Sequence, residues 1–368
     1  MSLAYDVIPV TIVTGFLGSG KSTLLADVLH GAAARDTAVL VNEFGEVGLD
    51  HLLLGAIDAQ TVLLDNGCVC CAIRSDLKEA LASLFSRRAR GELPPFSRVV
   101  LETTGLATPA PIIATLLADP LVAHHYVLNA TVTVVDAVQA GYQRVRHPEW
   151  LAQVTAADRI VISKADLADA ATLEPLRAQL QQLNPAAQIV LRSAADDATC
   201  LFAAAQAAPD LGAIASRAGN AARRFEAEQA RMQSHPQADP QARVAHAAPL
   251  AVPAPVDANH LANIESFCIE FDQPIEWPVF TLWFTLLLNR HGDNILRVKG
   301  LLAIAGTPQP VVVHAVHHLV HPVLHLDDWP DANRTARLVF ITCGVERAAV
   351  AASWQRFCRH LQPAESVH

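Results

Sequence analysis

The chain is poor in lysine. Of its 27 basic residues only Lys21, Lys78, Lys164 and Lys299 are lysines. An arginine-biased chain is expected to keep lysine where a compact ammonium on a flexible stem is needed. No basic block stands out and the net charge is −9, which argues against nucleic acid as a partner. No apolar run approaches the roughly 18 residues that span a bilayer, so no membrane is expected. The opening "MSLAYDVIPVTIV" has no basic n-region and carries Asp6 before its apolar run. It reads as a first buried strand, not a signal peptide, and the expected location is cytoplasmic. Cysteine is also scarce, 7 in 368 residues, yet Cys68, Cys70 and Cys71 fall within four positions. Where thiols stay reduced, such a cluster means metal or redox chemistry more often than disulfides.

The first two hundred residues alternate apolar, β-branched runs with helical stretches. The runs are "VTIVT" (10–14), "TAVLVN" (37–42), "TVLLD" (61–65), "RVVLE" (98–102), "TVTVVD" (131–136), "RIVIS" (159–163) and "QIVLR" (188–192). The expected fold is an α/β nucleotide-binding domain, residues 1–209, with a mostly parallel sheet covered on both faces. Residues 210–262, rich in Ala, Pro and Gln, read as a linker. Residues 263–368 read as a smaller α+β domain.

"TGFLGSGKST" fits G-x-x-x-x-G-K-[ST] between a strand and a helix. Gly15 and Gly20 let backbone N–H groups close on phosphate oxygens at a helix N-terminus. Lys21 is expected to reach the β and γ phosphates, and the Ser22 hydroxyl to ligand Mg²⁺. Gly18, Ser19 and Thr23 complete the candidate phosphate-binding set. "VVLETTGLATP" ends a strand in Glu102, a candidate for holding Mg²⁺ and organising the attacking water. Gly105, three residues on, offers an N–H to the γ-phosphate. In "RIVISKADL", the Asp166 carboxylate can accept from N1–H and N2–H of guanine, which adenine cannot offer. The Lys164 stem can lie over the base. Ser163 stands where Asn is usual and can make fewer buttressing bonds.

The motifs "GFLGSGKST", "VNEFGEVGLD", "NGCVCC", "ETTGLATPAPI" and "SKADL", in that order, resemble the CobW-type metallochaperone GTPases, relatives of HypB and UreG. "LRVKGLL" and "AVHHLVHP" resemble that family's C-terminal domain. The resemblance implies a GTPase that uses GTP/GDP and Mg²⁺ and carries Zn²⁺, or Co²⁺ or a related metal. It implies delivery to a client metalloenzyme apoprotein, and a homodimer is compatible with it. It makes Cys68, Cys70 and Cys71 the metal ligands, with Glu46 beside them. Glu43 and Glu46 would lie in the nucleotide-responsive segment. Val41 stands where some members carry an acidic residue. Three thiolates leave a coordination position open, which suits transfer more than the closed four-ligand structural site.

Two other classes fit parts of the pattern: an ATP-dependent small-molecule kinase with a structural metal, and a redox switch whose cysteines form a disulfide. His314, His317, His318, His321 and His325 could add a second metal site, but such histidines more often decorate one face of a half-exposed strand, which is the expectation here. Cys200, Cys268, Cys343 and Cys358 are expected in the core. Asp136 either tunes Mg²⁺ or caps a turn. "FTLWFTLLL" reads as a core helix.

Overall fold

The structure, a computed structural model, describes residues 7–30, 36–41, 61–63, 72–192, 264–330 and 333–361. The thiols Cys68, Cys70 and Cys71, the acidic Glu43 and Glu46, the linker 210–262 and Cys200 lie outside these residues.

The N-terminal elements run in order as strand β1 (Ile8–Thr14), helix α1 (Lys21–His30), β2 (Thr37–Val41), β3 (Thr61–Leu63), α2 (Ala72–Ala89) and β4 (Arg98–Glu102). They continue through α3 (Pro109–Ala118), α4 (Pro120–His125), β5 (Tyr126–Asp136), α5 (Ala140–Arg146), α6 (Pro148–Ala156) and β6 (Arg159–Ser163). A 3-10 turn (Ala165–Leu167), α7 (Ala170–Leu183) and β7 (Gln188–Leu191) close the unit. The seven strands form one sheet in the order β3-β2-β4-β1-β5-β6-β7. Every pairing in it is parallel.

Parallel strands need crossover helices, and these cover both faces. That is why β2 and β6 read as unbroken apolar runs and are buried along their whole length. One face packs Leu77, Leu81, Leu84, Ile112, Ile113 and Leu116 over Val10 and Ile12. The other face packs Leu24 and Leu25 over Val13 and Val132. β1 lies centrally, with β4 and β5 on its two sides, so the chain winds outward in both directions from it. In such sheets ligands bind outside the carboxyl ends of the strands, at this reversal of winding.

The C-terminal elements are β8 (Ile264–Phe271), α8 (Trp277–His291), β9 (Ile295–Leu302), β10 (Val311–Val316), β11 (Leu319–Val320), β12 (Leu324–His325), β13 (Ala336–Cys343) and α9 (Arg347–Leu361). The sheet is antiparallel, ordered β11-β10-β9-β13-β8, with β12 also pairing β10. Side chains alternate between its faces. Phe267, Ile269, Val298, Val313, Leu338 and Phe340 face the core that includes α8. Cys268, Leu301, Val312 and Val339 gather on the opposite face with Ala186 of the nucleotide domain. That second face also carries Arg297, Lys299 and His314, because each is an even number of residues from Leu301 or Val312.

Two expectations are corrected here. Cys268 is buried, but Cys343 and Cys358 are only half-buried. The histidines do not share one half-exposed strand face. His317 sits in a left-handed turn at φ 51° and its Nδ1 contacts Gly292 O at 3.1 Å. His318 pairs with Asp293 at 3.0 Å. His314 and His321 point into the joint between the domains, where their Nε2 atoms are buried without a hydrogen-bond partner. The phrase "FTLWFTLLL" does form a core helix face, with Phe280, Trp283, Phe284, Leu287 and Leu288 buried. Leu282 and Leu286 on the same helix stay exposed.

Candidate functional site

The site forms where β1, β4, β5 and β6 end. Gly15, Gly18 and Gly20 take φ values of 144°, 71° and 90°, a region closed to most side chains. At Gly15 a side chain would also strike the carbonyl of Val134 on β5. The loop therefore needs glycine both for its turn and for its closeness to the sheet. It delivers Lys21 at the first turn of α1. The Lys21 ammonium is buried and donates to Gly15 O at 2.8 Å and Phe16 O at 3.2 Å. The glycine loop thus sets the lysine at a helix N-terminus, the arrangement that holds phosphate.

Ser22 follows on α1, and its Oγ donates to Glu102 Oε1 at 2.9 Å. Eighty residues separate the two in sequence, and the parallel β1–β4 pair brings them together. The buried Glu102 carboxylate and the serine hydroxyl are hard oxygen donors side by side. That donor set fits Mg²⁺, which prefers a few oxygens and retains water. Thr103, next in line, donates from its hydroxyl to Thr14 Oγ1 at 2.8 Å, tying the end of β4 to the end of β1. Gly105 presses against the phosphate loop. A side chain there would come within 2.6 Å of Leu17 N.

The opposite wall is the "SKAD" segment after β6. Ser163 Oγ donates to Ser19 O at 2.6 Å and lies 3.2 Å from Val135 O. The serine in the usual Asn position thus still buttresses the phosphate loop. Lys164 is held in the left-handed region, φ 54° and ψ 31°. Its Nζ donates to Gly18 O at 2.8 Å and to Asp136 Oδ2 at 2.7 Å. This lays the aliphatic stem along the edge of the site. Asp166 stands exposed in the 3-10 turn that follows.

Asp136 is the residue whose role the sequence left open. Its Oδ1 accepts from Val138 N at 2.8 Å and Gln139 N at 3.1 Å, so it caps the turn after β5. Its other oxygen accepts from Lys164 Nζ. Gly15, Gly18, Ser19, Gly20, Lys21, Ser22, Glu102, Gly105 and Lys164 thus all line or buttress one site. Thr23 is exposed on α1 beyond it.

A second cluster lies at the domain joint, away from the glycine loop. Asp158, just before β6, receives Arg297 Nη2 of β9, and Lys299 Nζ lies 3.3 Å from the same oxygen. Its other oxygen accepts from Thr131 N at 2.9 Å. Arg297 Nη1 also donates to Ala156 O. Burial alone would push the Asp158 carboxyl up, but Arg297 and Lys299 outweigh it and hold the acid well below its ordinary range. Burial pulls Lys299 down and outweighs its attraction to Asp158. Burial likewise lowers His314, and lowers His321 to about 4. Sequence reading missed this cluster. Among the described residues no group of three or more His, Cys, Asp or Glu side chains could hold a metal ion.

A glycine phosphate loop, a Ser–Glu oxygen pair and a lysine that bonds back to the loop, at the strand ends of a parallel sheet, define a P-loop GTPase. Residues 9–191 match the CobW/HypB/UreG nucleotide-binding domain, and residues 264–358 match the cobalamin synthesis protein cobW C-terminal domain. The zinc chaperone YjiA of Escherichia coli strain K12 is 31% identical over 334 residues, spanning 91% of this chain and 93% of YjiA. The zinc chaperone CobW of Pseudomonas aeruginosa is 35% identical over 212 residues, covering 49% of this chain and 55% of CobW. The crystal structure of zinc-bound YjiA GTPase aligns with 95% of this chain and 99% of its own at a TM-score of 0.62 and 27% identity. The chain belongs to the CobW/HypB/UreG family.

Proposed function

We propose that the protein is a GTP-hydrolysing metallochaperone that carries zinc to a client apoprotein. The observation that carries the nucleotide half is the bond from Lys164 Nζ to Gly18 O at 2.8 Å, which joins the base wall to the phosphate loop. This supports a reading in which the Asp166 carboxylate, in the turn that follows Lys164, accepts both guanine N–H donors. The zinc half rests on relatives described as zinc chaperones. It also rests on Cys68, Cys70 and Cys71, which with Glu46 are the proposed ligands of zinc as cargo.

In this reading Lys21 and the loop N–H groups stabilise the charge that develops on the phosphoryl oxygens. Ser22 and Glu102 would hold Mg²⁺, which supplies further neutralisation of that charge. Glu102 also organises the attacking water, and the N–H of Gly105 senses the γ-phosphate. Three thiolates leave the fourth position to the Glu46 carboxylate, which an incoming client ligand can displace.

The test is a side-by-side titration of GDP and ADP with Mg²⁺, followed by turnover of GTP and ATP. Guanine nucleotide should bind more tightly and turn over faster. Equal affinities would refute the base assignment. Faster ATP turnover would favour the kinase reading.

A further inference from the structure

Gln153 lies on α6, is fully buried, and belongs to no nucleotide-binding motif. Its Nε2 donates to Gly105 O at 3.1 Å and to Ala107 O at 2.9 Å. Both partners are carbonyls, so the amide nitrogen must face them and the orientation is not ambiguous. The two acceptors sit at the ends of a three-residue stretch in the loop after Glu102. That loop contains Gly105, whose backbone has the widest freedom of any residue type. Its N–H is the group that would read the γ-phosphate.

The surroundings make Gln153 a rigid handle. Its own carbonyl accepts from Thr133 Oγ1 at 2.7 Å, which ties α6 to β5 beside the phosphate loop. Three residues on, Ala156 O receives Arg297 from the C-terminal domain. The Gln153 side chain leaves its Oε1 buried without a partner. A side chain kept only for packing would avoid that cost, because an apolar residue of the same volume carries no unpaired acceptor. The cost is understandable if the two donated bonds serve the loop.

We propose that Gln153 is a positioning residue for GTP turnover: it clamps the Gly105–Ala107 stretch against the phosphate loop from the far side. The loop is then held from two directions, by Leu17 of the phosphate loop and by Gln153. The sensing N–H is set before nucleotide arrives, and the cost of ordering a glycine is not met at each turnover. Gln153 touches no phosphate in this scheme. Binding of the diphosphate and base, which use the glycine loop and the Lys164 wall, does not depend on it.

This inference rests on the GTPase reading above, and the experiment separates the two. The parent protein is assayed first, for GTP turnover and for affinity toward GDP and a non-hydrolysable GTP analogue. A parent that does not turn over GTP overturns the reading itself, and the inference with it. Gln153→Met keeps the volume and loses the donors; Gln153→Glu sets a carboxylate against two carbonyls. Both should keep GDP affinity within about twofold while kcat falls on the order of 10- to 100-fold, the scale of a small misplacement at a reacting centre. Affinity for the GTP analogue should fall more than affinity for GDP. Thermal melting with saturating GDP reports whether each variant is folded. Parent-like kcat in a folded Gln153→Met would overturn the proposal. So would equal losses for GDP and the analogue, or failure of both variants to fold, since each would mean a purely structural role.

Discussion

Two clusters of charge in the molecule are built to opposite ends. At the nucleotide edge, Lys21 opens α1, Glu102 ends β4 and Lys164 follows β6 in left-handed backbone, and both lysines bond carbonyls of the glycine loop. At the domain joint, Asp158, Arg297 and Lys299 lie on or beside regular strands and satisfy one another. The first arrangement leaves donors and acceptors placed to meet a ligand. The second pairs its charged groups with one another, and its imidazoles, whose Nε2 atoms have no partner, are held toward the neutral form by burial. A buried charge therefore does not mark a site by itself. What marks it is irregular backbone and glycine close to the charge.

The sharpest way to break this contrast is at the joint. Arg297→Ala leaves Asp158 short of its closest cation, and loss of one partner of a buried pair costs about 3–5 kcal/mol. Chemical denaturation should show that loss, while any protein that remains folded should bind GDP like the parent. Lys21→Ala should do the reverse. It should cut GTP turnover on the order of 10²–10³-fold or more, the usual cost of removing one donor to developing charge, with little change in stability. A steady-state GTPase assay with a parallel melt checks both halves.

Asp136→Asn should have a smaller effect. It keeps the turn cap but loses the charge facing Lys164 Nζ. GDP affinity should fall by at most about 1.5–3 kcal/mol, the range for a hydrogen bond to a charged group, and the preference for GDP over ADP should narrow. Calorimetry with both nucleotides measures it. An equal loss for GDP and ADP would leave Asp136 as a turn cap.

The smallest effect is a pH dependence confined to the joint. Burial lowers His321 from an ordinary 6.5 to about 4, and lowers His314 as well. Between those values the unfolded chain takes up protons that the folded imidazoles refuse. Stability is therefore complete above about pH 6.5 and declines as pH falls toward 4. Asp158 adds to the loss only in stronger acid, since its acid form is favoured only when unfolded. Melting temperatures from pH 7.5 to 5 should fall less steeply in His321→Gln than in the parent.

The nucleotide edge was largely legible because its residues are contiguous in the chain. Gly15 to Ser22 form one strand–loop–helix unit, and Ser163 to Asp166 another. The parallel order of strands then brings the units together. The grouping of Asp158 with Arg297 and Lys299 was not legible: Asp158 lies 139 and 141 residues before them. On β9, "LRVKGLL" alternates as a half-exposed strand would, and only the docked domain buries its charged face. The same docking misled the reading of His314 and His321. Gln153 gave no sign at all, since a lone glutamine on a helix carries no spacing signal. The scarcity of lysine was informative beyond its first use, because Lys299 too occupies a specific buried place.

The most direct test of a nucleotide-governed zinc carrier is a competition titration with a zinc indicator, run once with a non-hydrolysable GTP analogue and once with GDP. If nucleotide state governs the cargo, zinc affinity must differ between the two, typically by about 5–150-fold for coupled sites. By linkage, bound zinc must shift the ratio of GTP-analogue to GDP affinity by the same factor. Replacing Cys68, Cys70 and Cys71 together with serine should abolish tight zinc binding and leave GDP binding intact. Identical zinc affinity in the two nucleotide states would contradict the carrier mechanism and leave a GTPase that binds zinc without governing it.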